Sequence, residues 1–356
     1  MIKPLTIIII VLSVFVITSS ATSISCRDEN GSPVDWWIIY KYPTLSGADA
    51  GGYGYSYGDA NSPKIVPTGK RLDQNLNGAL GSTLKQTYGN LNSDNIGWVF
   101  YNDEVEGHSV SRSFAHAKGA VIWDSSTAVW IVHSLPKFPP TTDNAYSLPD
   151  SASDYGQVFM CNSMKYSDVD EIGLGLRYKY THIYESNFPT KYQSQLSNIY
   201  KIINQEKISG SYSYTQVFST IKGLTFKSFS KTSEWSTTTN STLHEGLIGK
   251  SLEIDAAWQT WMNGNGGKEP SFCPQSGYAY QCVNVNTVKI TDQIQWIHTK
   301  DHSKWGIAIE GDSKYVCIAD INRMYSQMKR GGGSICFQHD QIHSSFSSFI
   351  GQRDSC

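Results

Sequence analysis

The sequence predicts an α+β fold in two pseudo-symmetric halves, with β-sheets flanked by helices and one site at the interface between the halves. Three observations predict it. Short runs rich in β-branched and aromatic residues outnumber helical periods. A stretch rich in Ser, Thr and Lys, from Ser209 to Asn240, reads as the join between two halves. A strand-turn-strand pattern opening on His-x-Lys occurs once on each side of that join, with His116 and His302 lying 186 residues apart. The units so defined are a leader over 1–21, an N-terminal half over 22–208 and a C-terminal half over 209–356.

The leader carries Lys3, then an apolar run from Leu5 to Ile17 broken only by Thr6 and Ser13, then Ser19, Ser20 and Ala21. These are the three parts of a signal peptide, with cleavage after Ala21. The competing reading is a membrane anchor, but the run is shorter than the roughly 20 apolar residues that a spanning helix needs. No later segment is long enough to span. The expectation is entry into the secretory pathway with no anchor left after cleavage, and residence in the lysosome or outside the cell.

Beyond the leader, the segments 35–41, 97–101, 120–123, 129–132 and 157–160 read as buried strands bounded by Gly, Asn, Asp or Pro. Loops are expected over 47–58, which is rich in Gly and Tyr, and from Pro139 to about Asp154. Helical spacing joins Leu76, Ala79, Leu80, Thr83 and Leu84, then Leu196, Ile199, Tyr200 and Ile203, then Ala257, Trp258, Trp261 and Met262. With 39% hydrophobic and 17% charged residues, the 356-residue chain can build a sizeable core and is not of the disordered class.

The formal charge is −2, and −3 once Lys3 leaves with the leader, which at neutral pH suits a polyanion ligand poorly. Nine histidines change this: protonating all of them would carry the mature chain to about +6. An anionic partner is therefore expected in an acidic compartment.

Seven cysteines without a Cys-x-x-Cys pair fit an oxidising compartment and leave one thiol over. The sequon Asn240-Ser241-Thr242 makes Asn240 a glycosylation candidate.

The chemistry resides in the repeat. His116-Ala-Lys118 precedes an apolar segment to Asp124, a turn, and a second segment ending at His133; His302-Ser-Lys304 precedes Trp305 to Ile309, a turn, and Tyr315 to Asp320. On a strand, residues i and i+2 share a face. If each motif lies on the first strand of its hairpin, two imidazoles and two ammoniums can surround one pocket. One imidazole can attack phosphorus, the other can protonate the leaving oxygen, and the lysines can neutralise the transition state. No cofactor is implied, and no His-x-His, His-Glu-x-x-His or EF-hand-like loop offers a metal cage. His133, at the end of the paired strand, could reach the same pocket. His108, His182, His244, His298, His339 and His343 read as surface or satisfied residues.

At these residues the chain resembles the deoxyribonuclease II family, acid endonucleases of lysosomes within the phospholipase D superfamily. The resemblance runs from Cys26-Arg27, Gly31, Val34-Asp35-Trp36 and Tyr40-Lys41-x-Pro43, through His116-x-Lys118-Gly119 and 133–140, to Asp301-His302-Ser303-Lys304-Trp305, Asp320-x-Asn322-Arg323 and Arg330-Gly331-Gly332-Gly333. It implies a phospholipase D-like fold and a metal-independent endonuclease that cuts duplex DNA at acid pH and leaves 3′-phosphate ends. It carries over His116, Lys118, His302 and Lys304 as catalytic positions, with His133 and Asn322 in support. It implies disulfides Cys26–Cys161 and Cys317–Cys336, with Cys356 paired to Cys273 in preference to Cys282. The chain departs from the superfamily signature at its Asp: Asp124 falls one residue late and Asp312 later still. Two other readings remain open: a phosphodiesterase of the same superfamily acting on RNA or lipid, and a non-catalytic secreted glycoprotein that binds polyanions. Monomer and homodimer are both compatible with the sequence.

Overall fold

The computed structural model describes residues 23–45, 51–74, 77–109, 111–142, 145–264, 266–275 and 279–356. The leader over 1–21, Leu76 of the first helical stripe and part of the loop over 47–58 lie outside them. No helix among the described residues is long and apolar enough to cross a membrane.

The fold is α+β, with two large sheets and few helices. The first sheet uses β1 (Trp36–Lys41), β2 (Gly54–Asp59), β3 (Val66–Arg71), β4 (Gly97–Tyr101), β5 (Lys118–Trp123), β6 (Thr127–His133), β7 (Gln157–Lys165) and β8 (Ile183–Asn187). Its order is β8-β4-β5-β6-β7-β1-β2-β3, and every neighbouring pair is antiparallel. The second sheet uses β9 (Ser213–Ser219), β10 (Thr225–Lys231), β11 (Ala256–Gln259), β12 (Cys282–Lys289), β13 (Gln295–Ile297), β14 (Trp305–Ala308), β15 (Tyr315–Ala319), β16 (Gly332–Gln338) and β17 (Ile350–Arg353). Its order is β9-β10-β16-β15-β14-β11-β12-β13, with β17 beside β12 and only β11 and β12 parallel.

Alternation along the strands divides the core in three. Ile38 and Tyr40 of β1, Val121 and Trp123 of β5, and Trp130 and Val132 of β6 join Ile307, Val316, Ile318 and Phe337 of the second sheet in one central cluster. The neighbouring residues Trp37, Ile39, Ala120, Ile122 and Ile131 point the other way, and α1 (Ala79–Tyr88) covers them with Ala79, Leu80 and Leu84. The outer face of the second sheet packs Phe229, Trp258, Ala308 and Cys317 with Leu243 and Ile248. Both sheets are thus buried on two faces along their middle strands, which is why those strands read as unbroken apolar runs. The helices α2 (Val169–Lys179), α3 (Ser197–Ile203) and α4 (Asp340–Ser348) contribute Ile172, Leu176, Ile199, Ile202, Ile342 and Phe346 to the central cluster rather than only flanking the sheets.

Four expectations differ from this structure. Residues 257 and 258 belong to strand β11, not a helix, because a short strand buried on both faces has no period to distinguish it from a buried helix. The stretch 209–240 holds the hairpin β9–β10 and a short helix, Trp235–Thr239; polar residues stand on both faces of the hairpin, Ser228, Ser230 and Lys231 of β10 being buried, which hid the pairing. Strand β2 occupies 54–59, where a loop was expected. The His-x-Lys motifs lie at the entry to their strands rather than along them: only Lys118 of the first is on β5, and the second ends just before β14 at Trp305. Helix α2 was not anticipated, because Gly173 and Gly175 interrupt its stripe of Val169, Ile172 and Leu176.

Three disulfides, Cys26–Cys161, Cys273–Cys356 and Cys317–Cys336, leave Cys282 as a buried thiol.

Candidate active site

Each His-x-Lys segment enters its strand while bonded to residues of the other sheet's half of the chain. The His116 N–H donates to Gly331 O at 3.1 Å, just before β16. The His302 N–H donates to Gly156 O at 2.9 Å, just before β7, and the Gly156 N–H donates to Lys300 O at 2.8 Å. Both acceptors must be glycine. A Cβ at Gly331 would lie 1.9 Å from Lys179 O, and one at Gly156 would lie 2.6 Å from Asp301 Oδ1.

The first segment converges on Asp103, two residues past β4. Its carboxylate is buried, ion-paired with Lys118, 2.9 Å from Arg330 Nη2 and 3.9 Å from His116 Nε2. Burial alone would raise the Asp103 pKa, but Lys118, His116 and Arg330 together hold it well below the usual carboxylate range. Arg330 also donates to Phe114 O and Ala115 O, which fastens the approach to His116.

The second segment is built on Asp301. Its Oδ2 accepts from Tyr40 Oη at 2.5 Å and Trp296 Nε1 at 2.9 Å, and its Oδ1 accepts from the Ser303 N–H. Trp305 Nε1 donates to the same Tyr40 hydroxyl at 3.0 Å. Lys304 Nζ donates to His302 O at 2.5 Å. The His302 ring stacks on Tyr155 with centroids 3.9 Å apart and planes 6° apart, and Trp261 lies 4.2 Å from it. Nε2 of His302 has no partner.

His133 pairs in register with Lys118 across β5 and β6. Its Nδ1 accepts from the Leu135 N–H at 3.2 Å, so Nε2 carries the proton and is without a partner. Asn322 is buried with its Oδ1 unpartnered. Asp124 instead holds the β5–β6 turn, accepting from the Ser126 and Thr127 N–H groups, while Asp312 is exposed in the β14–β15 turn.

A cleft of about 670 Å³ is lined by His116, Asp103, Arg112, Asn322, Trp261, Lys329 and Arg330 among others. Of the four motif side chains only His116 lines it directly; Trp261, which also lines it, touches His302. Within one chain, the two lysines act on both histidines. Burial, then Lys118, against Asp103, and then Lys304 hold His116 well below the usual imidazole range. Burial, then Lys304, Lys118 and Lys41 bring His302 down to about 2. Burial, then Lys118 and Lys304, lower His133 likewise. Burial and Lys118 bring Lys304 down to about 7. The free site is thus a desolvated cluster with cations in excess, which suits an anion.

Two sequence expectations change here. His116, His133 and His244 are buried and His302 half-buried, and all four are shifted downward, so acid does not charge all nine histidines of the free protein. His244 is neither at the surface nor in the site; it packs 4.6 Å from Trp258. Sequence reasoning missed Asp103 and Tyr155 entirely, placed Trp261 in a helical core stripe although it lies in the segment after β11, and gave Asp301 and Arg330 no role. The one available signal was an acidic residue just past a strand that is buried throughout.

A family model described as Deoxyribonuclease II matches residues 25–356. Plancitoxin-1 of Acanthaster planci is 30% identical over 348 residues, covering 96% of this chain and 95% of that protein. Deoxyribonuclease-2 of Caenorhabditis elegans is 31% identical over 378 residues, covering 96% of each. Deoxyribonuclease-2-alpha of Mus musculus is 30% identical over 345 residues, covering 94% of each. With a match over residues 25–356, this chain belongs to the deoxyribonuclease II family and is a nuclease, a phosphodiester hydrolase.

Proposed function

We propose that this nuclease is an acid endonuclease that hydrolyses DNA phosphodiester bonds without a metal, through a phosphohistidine, and leaves 3′-phosphate ends. DNA as substrate follows the names of the relatives above. The observation that carries the mechanism is that His116 and Trp261, which packs 4.2 Å from the His302 ring, line one cleft, while Lys118 and Arg330 converge on Asp103 beside His116. A phosphate entering that cluster meets two imidazoles and two ammoniums.

One imidazole forms a bond to phosphorus as the other gives a proton to the departing 5′ oxygen. Water then attacks phosphorus, gives its proton to the second imidazole, and releases the 3′-phosphate. Lys118 and Lys304 neutralise the equatorial oxygens. His133 offers its Nε2–H to one of them, and Asn322 orients the site from the cleft wall. Among the described residues no three His, Cys, Asp or Glu side chains converge as a metal cage.

The same reading covers the fold. In the antiparallel orders β4-β5-β6-β7 and β11-β14-β15-β16 each motif stands at the entry to the second strand of a matching run, which supports a phospholipase D-like pair of pseudo-symmetric halves at 22–208 and 209–356. Three disulfides support passage through the secretory pathway to the lysosome or the cell exterior. Asn240, exposed just after the helix Trp235–Thr239, is open to glycosylation.

Plasmid nicking at pH 5 in EDTA, with the ends tested for ligation before and after phosphatase, decides the proposal. Cleavage in EDTA with 3′-phosphate ends is expected. Activity that EDTA abolishes, or cleavage of RNA or lipid with none of DNA, overturns it.

A further inference from the structure

We infer that Lys231 is a positioning residue of the active site: its ammonium ties down the segment Met328 to Gly331, on which His116 is seated, and does so more firmly in acid than at neutral pH. The inference rests on His116 acting in the reaction proposed above. It goes beyond that reading by giving a role to a buried cation outside the cleft.

Lys231 closes β10 and stands opposite Gly332 in the register of β10 and β16. It shares the outer face of the second sheet with Phe229, two residues back. The residue is 1% exposed. Its Nζ donates to Arg330 O at 2.6 Å and reaches Met328 O at 3.4 Å. No carboxylate pairs with it among the described residues, so a buried ammonium is spent on two backbone carbonyls.

Those carbonyls belong to the link between a 3₁₀ turn, Tyr325–Lys329, and β16. No residue from 325 to 330 is buried, so polar ties rather than a core anchor set where the link lies. Three ties meet on two adjacent residues. The Arg330 carbonyl accepts from Lys231. The Arg330 guanidinium donates to Asp103 Oδ2 at 2.9 Å and to Phe114 O and Ala115 O, beside His116. The Gly331 carbonyl accepts from the His116 N–H at 3.1 Å. A shift of the Arg330 carbonyl therefore moves both the root of that guanidinium and the seat of His116.

Burial alone brings Lys231 down to about 7. The surrounding elements offer no counter-charge. Ser213 of β9 and Gly332 of β16, which lie opposite it, do not ionise, and neither does any side chain of the helix Trp235–Thr239. On the helical segment Leu243–Gly249, His244 is held well below its ordinary range by burial, then Arg323, with Lys231 adding to both, and Glu245 is bound to Arg323 and Thr242. Asp320, at the end of β15, is paired with Lys179. On the held segment itself, Arg330 is turned to Asp103 and Lys329 lines the cleft. The Lys231 charge is thus present below pH 7 and lost above it. A charged donor makes a hydrogen bond roughly twice as strong as a neutral one, so the tie weakens as pH rises through 7.

The test compares wild type with Lys231→Met, both as the full chain, by kcat and KM on plasmid DNA from pH 5 to 7.5. At pH 5 the variant should lose about 10²-fold in kcat, the cost of roughly 1 Å of misplacement, with KM within about threefold because the cations of the cleft remain. The ratio of wild-type to variant kcat should shrink about threefold or more towards pH 7.5, as the wild type loses its charged donor. Titration of Lys304 and of the histidines is common to both proteins and cancels in the ratio. A merely structural role for Lys231 gives a ratio that does not change with pH.

Hydrogen exchange of the wild type reads the tie without catalysis and decides alone if Lys231→Met does not melt cooperatively. Corrected for intrinsic rates and referred to β12, the amides of 325–331 and of His116 should exchange about tenfold faster at pH 8 than at pH 5.5, the gap between a charge-assisted and a neutral hydrogen bond. A constant kcat ratio, or equal protection at the two pH values, overturns the role of Lys231. A wild type that shows the exchange change but does not cut DNA overturns the proposed function instead.

Discussion

The His302 N–H reaches across the chain to the Gly156 carbonyl at 2.9 Å, so the second His-x-Lys segment is held by the residue just before β7 of the first sheet. A side chain at Gly156 would meet Asp301 Oδ1 at 2.6 Å and push the segment away. Gly156→Val should therefore lower cleavage by about 10²-fold or more, the cost of roughly 1 Å of misplacement. Plasmid nicking measures it; unchanged activity would mean that this bond does not seat His302.

Tyr40 donates to Asp301 and accepts from Trp305 and Ser303 beneath the second motif. Tyr40→Phe leaves buried polar groups without that partner, at a cost of about 1–3 kcal/mol. Denaturant titration should show a lower midpoint, and kcat should fall as Asp301 loosens. A midpoint equal to wild type would remove Tyr40 from the support of the site.

Lys304, lowered to about 7, gives the site an acid preference for phosphate. Its charge is present below pH 7 and lost above it, so DNA affinity should fall as pH rises through 7. The stability contribution has the opposite sign: between the folded value and the ordinary Lys range the unfolded chain binds more protons, so stability rises with pH there. Anisotropy of a labelled duplex on the His302→Ala protein, at constant ionic strength from pH 5 to 9, reads the binding. Lys304→Arg, whose charge does not titrate, should flatten the curve. An equally steep curve in that variant would place the titration elsewhere.

The buried histidines predict acid sensitivity. His116, His133 and His244 are shifted down mainly by burial, so below about pH 6.5 the unfolded chain takes up protons that the folded one does not. Stability should be full above that pH and decline below it. His244 lies outside the site, so His244→Gln should reduce the loss of Tm between pH 7 and 5 without changing the pH dependence of cleavage. A short oligonucleotide should raise Tm more at pH 5 than at pH 7.5, because bound phosphate gives the site histidines a counter-charge. Equal shifts at the two pH values would contradict this electrostatic account.

The sequence by itself determined much of the local structure. The residue types of 118–123 and 127–133 specify a hairpin because both strands and their turn are neighbours in the chain, and Asp124 closes the turn through bonds to residues two and three positions away. The two His-x-Lys motifs were visible for the same reason, since each is three residues long. A fully buried strand such as β11 was not, because its two faces are equally apolar and leave no period to read.

The tertiary structure decided what surrounds the motifs. Arg330 meets Asp103 across 227 positions, Tyr40 meets Asp301 across 261, and Tyr155 reaches His302 only because the two halves pack together. No local pattern encodes such contacts: they follow from which faces the sheets bury against each other. The sequence thus supplied two like histidines, and packing made them unlike, placing a carboxylate beside one and aromatic rings beside the other.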